Sequence, residues 1–579
     1  MPKQLLNGGD LLVKTLLKNG VNYIFGITGG ELLKIYDAIH RFGTDEGITT
    51  IMVRHEQGGA HAADGYARTT GKLGVCMGTV GPGVMHLVPG IASAYADSIP
   101  VLAIGAQVGK MFENTGIIQG CIDQVSMMKP ITKLQLSVEE PTEIPDAVQL
   151  AIKTALTNRP GPVYLELRET ALVRETDDSS LIKILEPKAY MPANRIAGEE
   201  DKIEKAITLL KESEKPLIIA GGGVKASFAF DEIKTLSKSY SIPAGTTVNA
   251  VGSISSDTNT FVGSYLSSSS LRSAASNADL VLSFGCKWDY TTLFGAPPIW
   301  SQTQKIVQVD IDPSEIGKNR PATIGIVGDC KEVLRQLLEK MEVDLPKVKI
   351  EEYSSWNKYL QEFKQVDEKQ AQKFLKSDKI PIRPQRLVLE VFEFFPSETI
   401  FSIDGGDIMV FSILYLNHTP RSPRSVLFAA GMGHLGTGIP YAVGAKLAEP
   451  DKPVVCICGD GSFLFNAQEL DTAVRYELPI ICVVSNNSCW GMIKGNQKIN
   501  YKKRYCDVEL PQTNYADIAE SYGCLGIKVK EPDQIRPALQ KAINSNRPTV
   551  IDVDVGYEDS PAIRLMTLYK KQKGLYRTK

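Results

Sequence analysis

The residues best suited to chemistry lie in one stretch, Val454 to Met492, VVCICGDGSFLFNAQELDTAVRYELPIICVVSNNSCWGM. Asp460 stands between Gly459 and Gly461, just past an apolar run, Val454 to Cys458. Asn487 stands just past a second apolar run, Ile480 to Val484. A carboxylate and an amide oxygen are hard ligands that suit Mg²⁺ or Ca²⁺ and leave positions for phosphate oxygens and water. Glycines on either side of the acid let the backbone approach a diphosphate closely. An ordinary Gly turn followed by an Asn loop is the alternative reading of the same residues.

The elements that must position these side chains follow from the hydrophobic pattern. Strand, Gly turn, helix, strand and loop make one right-handed parallel crossover, with both polar residues at the carboxyl ends of its strands. Ligands bind at that edge of a parallel sheet. The same alternation predicts three doubly wound α/β domains. The first covers residues 1–185, with strands at Tyr23–Gly26, Thr50–Val53, Val75–Thr79, Pro100–Ile104 and Val163–Leu167 and a helix over Leu5–Lys18. The second covers 190–345, where the strand Pro216–Ala220 runs into Gly221-Gly222-Gly223, a turn that either binds a dinucleotide phosphate or is simply tight. Residues 346–385 read as a charged, solvated helix and linker. The third domain, 386–579, holds the opening stretch and ends in a basic tail, Leu565 to Lys579, which is either frayed or a lid.

At 579 residues the chain exceeds one core, and 43% hydrophobic with 22% charged residues describes a globular protein. A formal net charge of −2 gives no bulk attraction to nucleic acid or anionic membrane. Ten cysteines without a CxxC pair read as reduced thiols, and no apolar run is long enough to span a bilayer, so a cytoplasmic location is expected. Glu56 is a further candidate, because it follows a strand and opens the small-residue tract GGAHAADGYART, which reads as a helix from Gly58 to Thr70. Taken alone, it fits an acid that caps the next helix.

Taken together, these tracts resemble the thiamin diphosphate enzymes. GDG followed by NN is similar to that family's metal–diphosphate signature, RHEQGGAHAADGYAR (Arg54 to Arg68) to its first-domain motif, and TVGPGVMHLVPGIASAYADSIPVLAI to the tract after it. The resemblance implies Mg²⁺ held by Asp460, the Asn487 side chain and the Cys489 carbonyl, with thiamin diphosphate as cofactor. Glu56 is the activating acid it implies. Leu435 would wedge between the cofactor rings, and the Gly433 carbonyl would accept from the pyrimidine amine. Gly30, Asp404, Gly405, Gly406, Gly459, Gly461, Ser462, Gly491 and Met492 are the further cofactor contacts expected, and Gln119 and Trp490 the residues facing substrate. The family places its cofactor between the first domain of one subunit and the third of another, so a homodimer or homotetramer is expected. Its central domain holds FAD, the ADP part of coenzyme A, or nothing.

Within the family the resemblance is to the acetolactate synthase-like branch. CKWDYTTLFGAPPIW (Cys286 to Trp300) is similar to a pattern of 2-hydroxyacyl-CoA lyases, and Asp123-Gln124 before Lys129-Pro130 to a tract of oxalyl-CoA decarboxylase. IDPSEIGKN (Ile311 to Asn319) and PITK (Pro130 to Lys133) are similar to acetolactate synthase. Where the branch carries FQE, this chain has Ile118-Gln119-Gly120-Cys121. The expectation is a lyase or decarboxylase acting on a 2-hydroxyacyl-CoA or 2-oxoacyl-CoA. The alternative is an acetolactate synthase that condenses two 2-oxo acids with decarboxylation. A non-catalytic thiamin-binding homologue comes last, since it would have no chemical need of Glu56. Substrates in these readings are small: a 2-hydroxyacyl-CoA, a 2-oxo acid or an aldehyde.

Overall fold

The computed structural model describes residues 5–113, 115–120, 122–177, 182–264, 268–345 and 347–572. Among these, three six-stranded parallel sheets form, as the alternation of strands and helices predicts. The chain divides into two compact units. One comprises Met1–Asn194 with Gly431–Asp451 and Asn466–Ile480, and the other comprises Arg195–Ala430, Lys452–Phe465 and Ile481–Lys579.

In the first unit the strands run, edge to edge, Thr49–Met52, Tyr23–Gly26, Gly74–Gly78, Val101–Gln107, Val163–Arg168 and Gln135–Val138. Strand order reverses between Tyr23–Gly26 and Gly74–Gly78, which makes the ends of those two strands the crevice of this sheet. The expected helix over Leu5–Lys18 begins only at Gly8, because the Asn7 side chain accepts from the Asp10 amide in a capping box. Leu6–Asn7 instead pairs antiparallel with Glu175–Thr176. The tract after Glu56 is a single helix, Glu56–Thr70, and helix Gly438–Ala448 packs along it. The small residues explain how closely: a Cβ on Gly444 would overlap the Ala62 carbonyl, and one on Gly65 would lie 2.6 Å from Tyr441 Cα.

The second unit carries two sheets. The central one runs Phe261–Ser264, Ala244–Thr246, Pro216–Ala220, Leu280–Phe284, Lys305–Asp310 and Ile324–Val327. The other runs Val426–Leu427, Ile400–Ile403, Val454–Gly459, Ile480–Asn486, Thr549–Asp554 and Leu525–Val529. The charged helix expected here forms, Lys347–Leu375, but it is not simply solvated, since one face of it is part of the core. Tyr353, Trp356 and Leu360 form a buried stripe at helical spacing, and Trp356 Nε1 donates to the Pro216 carbonyl at 3.1 Å. The polar remainder of that sequence hides the stripe. The tail differs as well: Pro561–Gln572 is a helix whose Leu565, Met566 and Tyr569 pack against the cluster of Trp288 and Trp300. Residues 573–579 of the tail, like Cys121, lie outside the described residues. No helix among the described residues is long and apolar enough to cross a membrane.

Candidate active site

In the third sheet strand order reverses between Ile400–Ile403 and Val454–Gly459. The loops leaving those two strands, Asp404 to Asp407 and Asp460 to Ser462, therefore line its crevice. Asp460 opens a short helix, Asp460–Phe463, where a bare turn was expected. Its side chain is buried, with Oδ1 accepting the Gly461 amide at 2.8 Å and Oδ2 lacking any hydrogen-bond partner. An unpartnered, buried carboxylate oxygen is costly unless a cation or donor meets it. Burial, more than any other influence, pushes the Asp460 carboxyl up to about 6; nearby Asp407 adds to the rise, and the amides of Gly461, Ser488 and Cys489 oppose it.

Asn487 is oriented by Asp407, whose Oδ2 accepts from Asn487 Nδ2 at 2.9 Å. That bond turns the Asn487 Oδ1 toward Cys489, where it accepts the Cys489 amide at 3.2 Å. Ser488 between them takes a left-handed backbone, φ 52°, and the loop is clamped by Trp490 N to the Val508 carbonyl at 2.8 Å and Leu510 N to the Ser488 carbonyl at 2.8 Å. A hard cation needs oxygen donors, and Asp460 Oδ2, Asn487 Oδ1 and the Cys489 carbonyl are of that kind, so the residues present fit Mg²⁺.

The other expected contacts of this half divide by role. Gly405 has φ 108°, which only glycine adopts freely, and a Cβ there would lie 3.2 Å from the Gly459 amide. Gly461 leaves room for Trp490, because a Cβ would stand 2.6 Å from the indole. Gly491 leaves room for the Asp407 carboxylate, which a Cβ would overlap. Met492 packs over Gly406. Asp404 is buried and its Oδ1 accepts the Gly405 amide at 2.6 Å. Ser462 is engaged with Gly459, donating to its carbonyl at 3.1 Å and accepting its amide at 3.2 Å.

The first unit carries the other group of candidate residues. Glu56 is the first residue of its helix, 7% exposed, and its Oε2 lies 3.0 Å from His86 Nδ1. The N-terminus of that helix is held by Glu469, whose buried carboxylate accepts the Arg54 and His55 amides and the Thr472 hydroxyl at 2.6 Å. Burial pushes Glu469 up to about 7, against the opposing Thr472, Arg54 and His55 hydrogen bonds. Gly433 (φ 63°) and Leu435 belong to this unit; Gly433 is exposed and Leu435 half-buried. Their loop is fixed by Gly431 N to Asp97 Oδ1 at 2.9 Å and by Asn466 Nδ2 to the Gly436 carbonyl at 2.7 Å. At Gly30 the backbone is exposed and open, and it is neighbouring Gly29 that the packing requires, since its Cβ would overlap Thr79. The Gln119 side chain is exposed, its backbone left-handed at φ 68°, and its carbonyl sits over Gly81. Gln124 is buried and spent on the fold: Oε1 accepts the Gly81 amide at 2.7 Å and Nε2 donates to the Ala106 carbonyl at 3.0 Å and to Glu166 at 3.0 Å.

Three side chains at these loops were not assigned a role from the sequence. Asp407 closes the DGGD run and holds Asn487; its signal was the glycine at 491, readable only once the two loops are known to meet. His86 and His55 flank Glu56, with ring centroids 4.3 Å apart. Their signal was two histidines within motifs that were read only for their glycines and acid.

In the central sheet the order reverses between Pro216–Ala220 and Leu280–Phe284, and the Gly221–Gly223 turn lies there. Gly221 N donates to the Phe284 carbonyl at 2.8 Å and Gly223 N to the Gly285 carbonyl at 3.1 Å. Two of the turn's three amides are thus spent on joining the two loops. The segment that resembled acyl-CoA lyases is packed in part: Trp288, Leu293 and Trp300 are buried together, while Tyr290, Pro297 and Pro298 are exposed.

Comparison with known proteins gives three family matches. Residues 6–127 match the N-terminal TPP binding domain of thiamine pyrophosphate enzymes, 203–337 their central domain, and 404–553 their C-terminal TPP binding domain. A probable acetolactate synthase large subunit of Methanocaldococcus jannaschii is 36% identical over 559 residues, covering 95% of this chain and 92% of that protein. The acetolactate synthase large subunit of Haemophilus influenzae is 33% identical over 558 residues, 95% and 94% of the two chains. The acetolactate synthase isozyme 3 large subunit of Escherichia coli is 31% identical over 569 residues, 95% of each.

Proposed function

Because the chain belongs to the thiamine pyrophosphate enzyme family, we propose that it joins two 2-oxo acids with loss of carbon dioxide, the acetolactate synthase reaction. The observation that carries this reading is the 36% identity over 95% of the chain to a protein of that name. The acyl-CoA lyase or decarboxylase reading is weaker, since the relatives found along nearly the whole chain carry the acetolactate synthase name.

In this proposal Asp460 Oδ2, Asn487 Oδ1 and the Cys489 carbonyl hold Mg²⁺, and the unpartnered Asp460 oxygen supports that assignment. Thiamin diphosphate supplies an electron sink for the carbanion formed when a 2-oxo acid loses carbon dioxide. Asp404, Gly405, Gly406, Gly459, Gly461, Ser462, Gly491 and Met492 shape the diphosphate cradle, the glycines by leaving the backbone bare. Glu56 holds and releases the proton that switches the pyrimidine between its forms. The Gly433 carbonyl would accept from the pyrimidine amine, Leu435 would pack against the cofactor rings, Gly30 would border the pyrimidine, and Trp490 and Gln119 would face substrate. Each site takes Glu56 from one copy of the chain and Asp460 from another.

The test is to give purified protein thiamin diphosphate, Mg²⁺ and pyruvate, then a 2-hydroxyacyl-CoA, and follow products by NMR. Acetolactate with no acyl-CoA cleavage is expected; acyl-CoA cleavage alone overturns the reading. Mixing Glu56→Gln with Asp460→Ala protein should restore activity that neither has. A yellow flavin spectrum would show that the chain also binds FAD.

A further inference from the structure

Glu56 is nearly sealed, its side chain 9% exposed, yet the role proposed for it requires a proton to enter and leave. Among the described residues, His86 is the side chain paired with its carboxylate, and the His86 side chain is 44% exposed. His86 lies one turn into helix Pro82–Asp97, which starts at the Gly81 turn of the first sheet's crevice. The carboxylate is approached from the same turn by Gly83, where a Cβ would lie 3.3 Å from Glu56 Oε1. The imidazole thus has one nitrogen, Nδ1, against a buried acid, while much of its surface meets water.

His55, Glu56 and His86 offer three metal-ligating atoms within 4.8 Å of one another. A tetrahedral zinc ion needs ligand atoms roughly 3.3 Å apart. His55 Nδ1 is already engaged, accepting the Gln57 amide at 3.2 Å as the helix cap. The arrangement suits proton exchange better than metal ligation.

We propose that His86 is the proton relay between Glu56 and solvent. As Glu56 gives its proton, Nδ1 takes it and the far nitrogen, Nε2, gives one to water; the reverse sequence reloads the acid, so protons and charge balance in each direction. The relay rests on the Glu56 reading above. The other titratable groups around the pair are His55, whose ring lies against His86, and Tyr36, whose hydroxyl is pushed up to about 12 by burial and, in smaller part, by Tyr476 and Glu56. Arg54 and Glu469 sit at the start of the same helix. His86 is a positioning and relay residue, since it acts through Glu56.

The experiment measures C2–hydrogen exchange of bound thiamin diphosphate by rapid quench in D2O, for wild type, Glu56→Gln, His86→Ala and His86→Asn. The relay predicts at least a tenfold slower exchange in His86→Ala, restored in part by added imidazole in proportion to its free base. His86→Asn keeps a donor to Glu56 without a path to water, and should stay slow. Exchange in His86→Ala within twofold of wild type overturns the relay, as does full recovery in His86→Asn or a deficit that imidazole does not relieve. A second readout needs no cofactor: the His86 ring ¹⁵N and ¹H NMR shifts should move in Glu56→Gln apoprotein, and unchanged shifts contradict the pairing. Full activity in Glu56→Gln would instead remove the reading of Glu56 itself, whatever His86 does.

Discussion

The second unit holds two six-stranded parallel sheets of different strand order, and the crevices where their order reverses are built differently. In the central sheet the loops after Pro216–Ala220 and Leu280–Phe284 close on each other: Gly221 and Gly223 donate to the Phe284 and Gly285 carbonyls. In the third sheet the loops after Ile400–Ile403 and Val454–Gly459 carry Asp404, Asp407 and Asp460, and one buried carboxylate oxygen has no partner. Both are glycine-rich turns at a strand-order reversal. Topology supplies a place where a ligand fits, and the side chains decide whether the place is used.

The largest effect should come from the third sheet. Asp460→Ala should lower Mg²⁺-dependent thiamin diphosphate affinity more than about 100-fold by calorimetry, since even groups behind a metal ligand are worth about 10–100-fold. Unchanged affinity would erase the distinction between the crevices. Asp407→Asn leaves Asn487 without its charged acceptor and should weaken cofactor binding by about 10–100-fold at unaltered thermal stability. The matching change in the central sheet should do the reverse. Gly221→Ala puts a methyl group into the Gly285 carbonyl and should cost about 1–3 kcal/mol of stability, read as a lower Tm, with thiamin diphosphate affinity intact. FAD or coenzyme A binding that Gly221→Ala weakens at unchanged Tm would show that the central crevice is a working site.

The smallest effect concerns Glu469, in the first unit. Its folded-state carboxyl is raised to about 7 by burial, so between its ordinary value and 7 the folded chain binds more protons than the unfolded one. Stability from this group therefore falls as pH rises from about 4.5 to about 7 and is constant above. Glu469→Gln should flatten Tm against pH in that window, and an unaltered slope would assign the dependence elsewhere.

Much of this was legible in the sequence because parallel sheets advertise themselves. Apolar runs ending in glycine marked the strands, and Asp460 and Asn487 stood at strand ends where position alone implies a crevice. Other features depend on which loops meet. Asp407 became visible only through Gly491, and the Gly221–Gly223 turn could not declare its partner at Gly285. Composition misled over Lys347–Leu375, where three buried residues per two turns are masked by charged neighbours. In Cys286 to Trp300 part of a pattern that suggested a substrate packs as a tryptophan-centred core. The reaction is the least legible part, because a shared cofactor site constrains the common chemistry and leaves the second substrate free.

The most direct measurement is crystallographic. Protein grown with thiamin diphosphate and Mn²⁺ in place of Mg²⁺ should show one strong anomalous peak bonded to Asp460 Oδ2, Asn487 Oδ1 and the Cys489 carbonyl, beside the cofactor's diphosphate. A peak at His55, Glu56 and His86, or a cofactor diphosphate seated away from Asp460, would contradict the account.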